Sequence, residues 1–169
     1  IWTQGDKGLI SNNVITGIAI TYDGTVAGIN IVSGGDGNTI TNNTISSIDI
    51  DDAGNSDDVW GIYVGGSHTQ LRGNLIKDIT ITNGSGSAYG IIMVGNSAGN
   101  ASENDINTVD DYGIYITDDF CTANGNTVSS CDVGIEVAAT ADRILILNND
   151  VYSSGSNDFV NNGTNVVIA

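Results

Sequence analysis

The sequence predicts an all-β solenoid of five to six stacked parallel coils, three long ones first and shorter ones after. Three observations carry that expectation. An asparagine recurs ahead of short β-like runs, in "SNNVI", "TNNTI", "RGNLI", "SENDI", "NGNTV" and "NNDVY". A glycine followed by alternating apolar residues recurs between them, as "GINIV", "GIYVG", "GIIMV", "GIYIT" and "GIEVA". No apolar period of 3.6 residues survives anywhere, so no helix competes with the strand reading. Self-similarity at a regular spacing marks repeats that stack on one another.

The asparagine anchors are Asn13, Asn43, Asn74, Asn104, Asn126 and Asn149, spaced by 30, 31, 30, 22 and 23 residues. Each is expected at a bend, where Asn tolerates left-handed backbone better than most residues. Stacked coil on coil, its amide can donate to the next Asn along the axis and form a ladder. Alternation at period two then sends one residue inward and the next outward. Registering the repeats gives three inward columns: Ile15, Ile45, Ile76, Ile106, Val128, Val151; Ile29, Ile62, Ile91, Ile114, Ile135, Phe159; and Ile31, Val64, Met93, Ile116, Val137.

From anchor to glycine the first three coils run 15, 18 and 16 residues, against 9 and 8 in the next two. The surplus is itself patterned, as "IAITYDG", "IDIDDAG" and "ITITNGSG". It reads as an added strand and loop stacked three deep, a lateral ledge on the N-terminal half. The whole chain, 1–169, reads as a single domain, and its start on Ile rather than Met suggests a processed mature protein or a fragment.

The "GNTITNNTI…GIYV" pattern resembles the repeats of right-handed parallel β-helix proteins in the pectin-lyase-like superfamily, especially the NosD-type repeats. The likeness covers nearly the whole chain. It implies the right-handed parallel β-helix fold, and it spans polysaccharide-processing enzymes, phage tailspikes, surface adhesins and periplasmic proteins. Since the matching residues are the coil-building ones, fold follows from them and function does not.

Charge narrows the functions. Twenty acids face four bases (Lys7, Arg72, Lys77, Arg143), a net charge of −16. Such a surface repels nucleic acid and anionic lipid and attracts cations. No segment is long and apolar enough for a helical membrane span.

The run "DIDDAGNSDD" gathers Asp49, Asp51, Asp52, Asp57 and Asp58 on the ledge. Calcium wants six to eight oxygens, and alternating Asp residues around a Gly turn supply several, although EF-hand spacing is missing. A solvated acidic loop is the plainer reading. Trp60, Tyr89 and Tyr112 each precede the repeat glycine, and Tyr63 and Tyr115 follow it by two. Rings spaced by one coil could carry flat sugar faces, or could be a ladder that packs against a turn or a neighbouring subunit. Cys121 and Cys131 both have inward parity, which suits either a bridge across one rung or two buried thiols. Sequons stand at Asn42, Asn83, Asn100 and Asn162.

No residue is assigned a catalytic role. His68, the only histidine, reads as a surface turn residue. The resemblance to pectate lyases suggests an Arg base, and Arg72 is the Arg so placed; surface pairing of Arg72 and Lys77 with acids is the alternative. The "NTD", "GHG" and "RIK" motifs of polygalacturonases are absent. The expected function is therefore a non-enzymatic extracellular or cell-surface module, structural or glycan-binding, of a surface protein, fibre or sheath. The alternative is a carbohydrate-active enzyme, a polysaccharide lyase or tailspike-type depolymerase. The apolar end segments, with Ile1, Trp2 and Val166 to Ile168, suggest head-to-tail contacts with other copies or neighbouring coils.

Overall fold

The computed structural model describes residues 1–21, 24–51, 56–95, 98–152 and 154–169. Every strand among them pairs in parallel with the strand one coil away. The first turn holds β1 (Trp2–Thr3), β2 (Leu9–Ser11), β3 (Val14–Ile20) and β4 (Val26–Ile31). The second adds β5 (Thr39–Thr41), β6 (Thr44–Asp51) and β7 (Val59–Val64), and the third β8 (Gln70–Arg72), β9 (Leu75–Asn83) and β10 (Ala88–Met93). Two short coils follow, with β11 (Asn100–Ser102), β12 (Asp105–Ile116), β13 (Thr122–Asn124) and β14 (Thr127–Val137). The chain closes with β15 (Leu145–Leu147), β16 (Asp150–Tyr152), β17 (Asn157–Asn161) and β18 (Val167–Ile168).

Two sheets result. The seven-stranded one stacks β2, β5, β8, β11, β13, β15 and β18 in order. The eleven-stranded one forks: β3–β6–β9 and β1–β4–β7–β10 are separate limbs that both join β12. In the short coils a single strand does the work of two, with a register shift between Val109 and Tyr112. The ledge of the long coils comes from prolonging both limbs. That prolongation reaches the core as well as the surface, since Ile50, Val59 and Ala88 are fully buried.

The three inward columns lie in register as expected. Phe159 takes its place opposite Ile135 but is 38% exposed, because it belongs to the last coil. A fourth column, Ile10, Ile40, Leu71, Ala101, Ala123, Ile146 and Ile168, runs up the second sheet. Its residues change size too much along the chain to stand out in the repeat.

The asparagine ladder is present, with one correction. Each side-chain amide donates to the next anchor's Oδ1 at 2.8–3.0 Å, from Asn13 through to Asn149. The anchors themselves do not take the left-handed backbone expected of them. That conformation falls one residue earlier, on Asn12, Asn42, Gly73, Glu103, Gly125 and Asn148, at φ 53 to 64°. The anchor's task is hydrogen bonding; its neighbour makes the corner. Two more left-handed columns turn the coil: Lys7, Gly37, His68, Ala98, Phe120, Arg143 and Asn165, and Gly17, Ser47, Asp78, Thr108 and Ser130. Their residue types share little, so no repeat signal announces them.

Candidate functional site: the outer aromatic face

On the outer side of β4, β7, β10, β12 and β14 two columns run along the axis. One is Ala27, Trp60, Tyr89, Tyr112 and Val133, and the other Asn30, Tyr63, Ile92, Tyr115 and Glu136. Residues three apart on a regular strand face opposite sides. Here the intervening glycine breaks the alternation: Gly61 and Ile62 are both buried, so Trp60 and Tyr63 emerge together. Their ring centroids are 4.4 Å apart at 33°. Only glycine fits that position, because a methyl group on Gly61 would sit 2.6 Å from both the Gly90 carbonyl oxygen and Ile76 Cγ2. Gly28, Gly90, Gly113 and Gly134 are wedged in the same way against the next coil.

Tyr89 and Tyr112 stack at 5.1 Å and 12°, with Tyr115 tilted against both at 5.4 and 5.1 Å. Burial pushes the Tyr89 phenol up to about 12; its Ser87 hydrogen bond opposes the rise and Asp58 adds to it. The phenols of Tyr63, Tyr112 and Tyr115 are raised by the same desolvation, with Glu136 adding to the last two. All four are therefore neutral hydroxyls at neutral pH. The stacked pair covers the two ring faces that meet.

The aromatic series is interrupted at β4, with Trp2 of β1 in register beside Asn30. Ala27 and Asn30 stand where the neighbouring coil has Trp60 and Tyr63, and a hollow of about 470 Å³ opens there, lined also by Ile1, Trp2, Thr25 and Val26. Among the described residues, two that line it carry buried polar atoms without a hydrogen-bond partner, Trp60 Nε1 and Asn30 Oδ1.

The ledge acids are used between coils. Asp49 Oδ1 accepts from the Thr82 amide at 3.1 Å and the Thr80 hydroxyl at 2.9 Å. Asp51 accepts from Asn83, Asp57 Oδ2 from the Gly24 amide at 2.7 Å, and Asp58 Oδ1 from the Ser87 amide at 2.9 Å. Asp52 lies outside the described residues. Among the described residues no three His, Cys, Asp or Glu side chains converge as metal ligands.

Cys121 and Cys131 are buried free thiols, raised by burial to about 12 and about 11. Arg72 forms a forked pair with Glu103 at 3.0 Å for both bonds, while Lys77 has no ion pair among the described residues. His68 is an exposed corner residue at φ 55°. Of the sequons, Asn42, Asn83 and Asn162 are exposed, whereas Asn100 lies in β11 with its amide nitrogen on Gln70 and its oxygen buried. At the ends Trp2 is 77% exposed and Val167 and Ile168 are about half exposed, while Val166 packs on the core.

Comparison with known proteins gives one match: a family described as right handed beta helix region, over residues 1–168. No curated protein and no solved structure matches.

Proposed function

The chain belongs to the right-handed beta helix family, and on that footing we propose that it is a non-enzymatic extracellular module whose outer aromatic face holds a glycan. The observation that carries this reading is the cluster of Trp60, Tyr63, Tyr89, Tyr112 and Tyr115, half-buried and solvent-facing across three consecutive coils. Aromatic bodies with neutral hydroxyl tips suit a partner that is flat, apolar on its faces and hydroxylated at its rim. A sugar chain is such a partner. Binding fits better than turnover because Arg72 is held by Glu103 and His68 stands apart on a corner.

The test is affinity electrophoresis through gels cast with neutral and uronate polysaccharides, with reducing-end and unsaturated-product assays on the same panel. Retardation by a neutral polysaccharide, lost in Tyr112→Ala and without product release, is the expected result. Product release abolished by Arg72→Ala would replace this reading with that of a carbohydrate-active enzyme.

A further inference from the structure

We infer that the hollow between Trp2, Ala27, Asn30 and Trp60 is a subsite for one uncharged sugar ring of a neutral glycan, an inference that rests on the outer face being the glycan-binding surface. Position is the first argument. The two outer columns supply large side chains in the coils of β7, β10 and β12, and shrink to Ala27 and Asn30 in the first coil. A ring seated there fills the gap that Ala27 and Asn30 leave between the indoles of Trp60 and Trp2, the latter in register beside Asn30.

Size and polarity agree. At about 470 Å³ the hollow lies within the roughly 300–1,000 Å³ of small-molecule sites. Trp60 Nε1 can only donate and Asn30 Oδ1 can only accept, and neither has a partner among the described residues. Both atoms are covered in this structure, so a side-chain rotation is needed to present them. A sugar hydroxyl answers both, because it donates and accepts.

Charge decides the class. The Ile1 nitrogen is committed to the Gly28 carbonyl oxygen at 2.6 Å, and among the described residues no Lys or Arg lines the hollow. Asp57 stands at its margin, 3.4 Å from the Thr25 hydroxyl. A uronate or sulfated sugar would meet repulsion there with nothing to receive it.

The chain's two tryptophans, Trp2 and Trp60, both line the hollow, so indole emission reports on it directly. The full chain is titrated with hexasaccharides of glucose, mannose, galactose and N-acetylglucosamine, and with an oligogalacturonate, alongside the gel assay. At least one neutral hexasaccharide should shift the emission saturably, and the oligogalacturonate should not. Ala27→Tyr fills the hollow with the residue type its column carries in β10 and β12, and should weaken binding about tenfold or more, the worth of about 1.4 kcal/mol. Asn30→Leu removes the orphan oxygen, should keep the fold even if Ala27→Tyr does not, and should also weaken binding.

A glycan retarded in gels and released by Tyr112→Ala, whose binding neither hollow variant weakens, overturns the subsite whatever the emission does, since Trp60 belongs to the face as well, and leaves the face reading standing. Equal binding of the oligogalacturonate overturns the uncharged class. No retardation and no emission change with any sugar overturns both readings.

Discussion

A ladder asparagine serves three coils at once. Asn74 Oδ1 accepts from the Asn43 backbone and side chain at 3.1 and 3.0 Å, while its Nδ2 donates to Asn104 Oδ1 and back to the Ile40 carbonyl oxygen. Asn74→Leu would strand the Asn43 backbone N–H in a buried place and take a donor from the Ile40 carbonyl oxygen, while Asn43 Nδ2 keeps the Ile10 and Thr41 carbonyl oxygens. It should cost about 2–4 kcal/mol, since each orphan is worth roughly 1–3, and lower Tm on the order of 10 °C. Asn74→Asp keeps the acceptor and should lose less; thermal melts of the two variants check the ladder. A second residue gives a pH prediction. Burial raises the Asp111 carboxyl, the Ala88 amide bond at 2.7 Å opposes this, and Asp110, Asp132 and Asp58 add to it. A carboxyl whose folded pKa is raised contributes stability below its unfolded pKa, and that stability is lost as pH rises through the folded value. Asp111→Asn keeps an oxygen for the Ala88 amide and should raise Tm at pH 7, with the gain vanishing in melts below the carboxylate range. The ladder was legible because its residue type never varies. The left-handed residue beside it was not, because Asn, Gly and Glu all fill that corner.

At the scale of elements, the glycine column shapes the outer aromatic face. A strand in strict alternation could not bring Trp60 and Tyr63 to one side, and the kink at Gly61 does so by placing two successive residues inward. Gly61→Ala would press a methyl against backbone one coil away, and overpacking of this kind costs at least about 1–3 kcal/mol. The variant should melt lower and lose near-ultraviolet circular dichroism, because the Trp60–Tyr63 contact depends on the kink; an unchanged aromatic signal would mean that the kink is not what sets the face. The sequence carries the glycine, the rings and their spacing, so all five candidate aromatic residues are brought together. It does not carry the stacking of Tyr89 on Tyr112, which hides one face of each ring, nor the hollow, which exists because Ala27 and Asn30 are small where the neighbouring coil has Trp60 and Tyr63. A gap leaves no motif. The acids of the ledge are ambiguous for a related reason: a carboxylate that accepts a loop amide from the next coil looks, in one dimension, the same as a carboxylate that takes a cation.

For the whole molecule, the forked sheet, the two parallel stacks and the core columns follow from one fact, the recurrence of anchor and glycine at a fixed phase, and that is why the fold was the most readable part of the chain. The same phase makes the coils interchangeable. β9 and β10 meet β12 at the very register in which β12 meets β14: Ile76 with Ile106 and Val128, Ile91 with Ile114 and Ile135. β11, β13 and β15 agree likewise through Ala101, Ala123 and Ile146. Excising residues 105–126, one full period of 22, would set Thr127 directly after Asn104, just as it now follows Asn126. Asn104 would then reach Asn149, and every column would close over the seam. We expect that shortened protein to melt cooperatively at a lower Tm with the same circular dichroism per residue, while removal of residues 105–115 alone, half a period, should abolish folding. Length in this architecture is a whole number. A gene encoding it can gain or lose a turn in one duplication or deletion, provided the break points share a phase, and the length of the aromatic face would be adjusted by the same arithmetic.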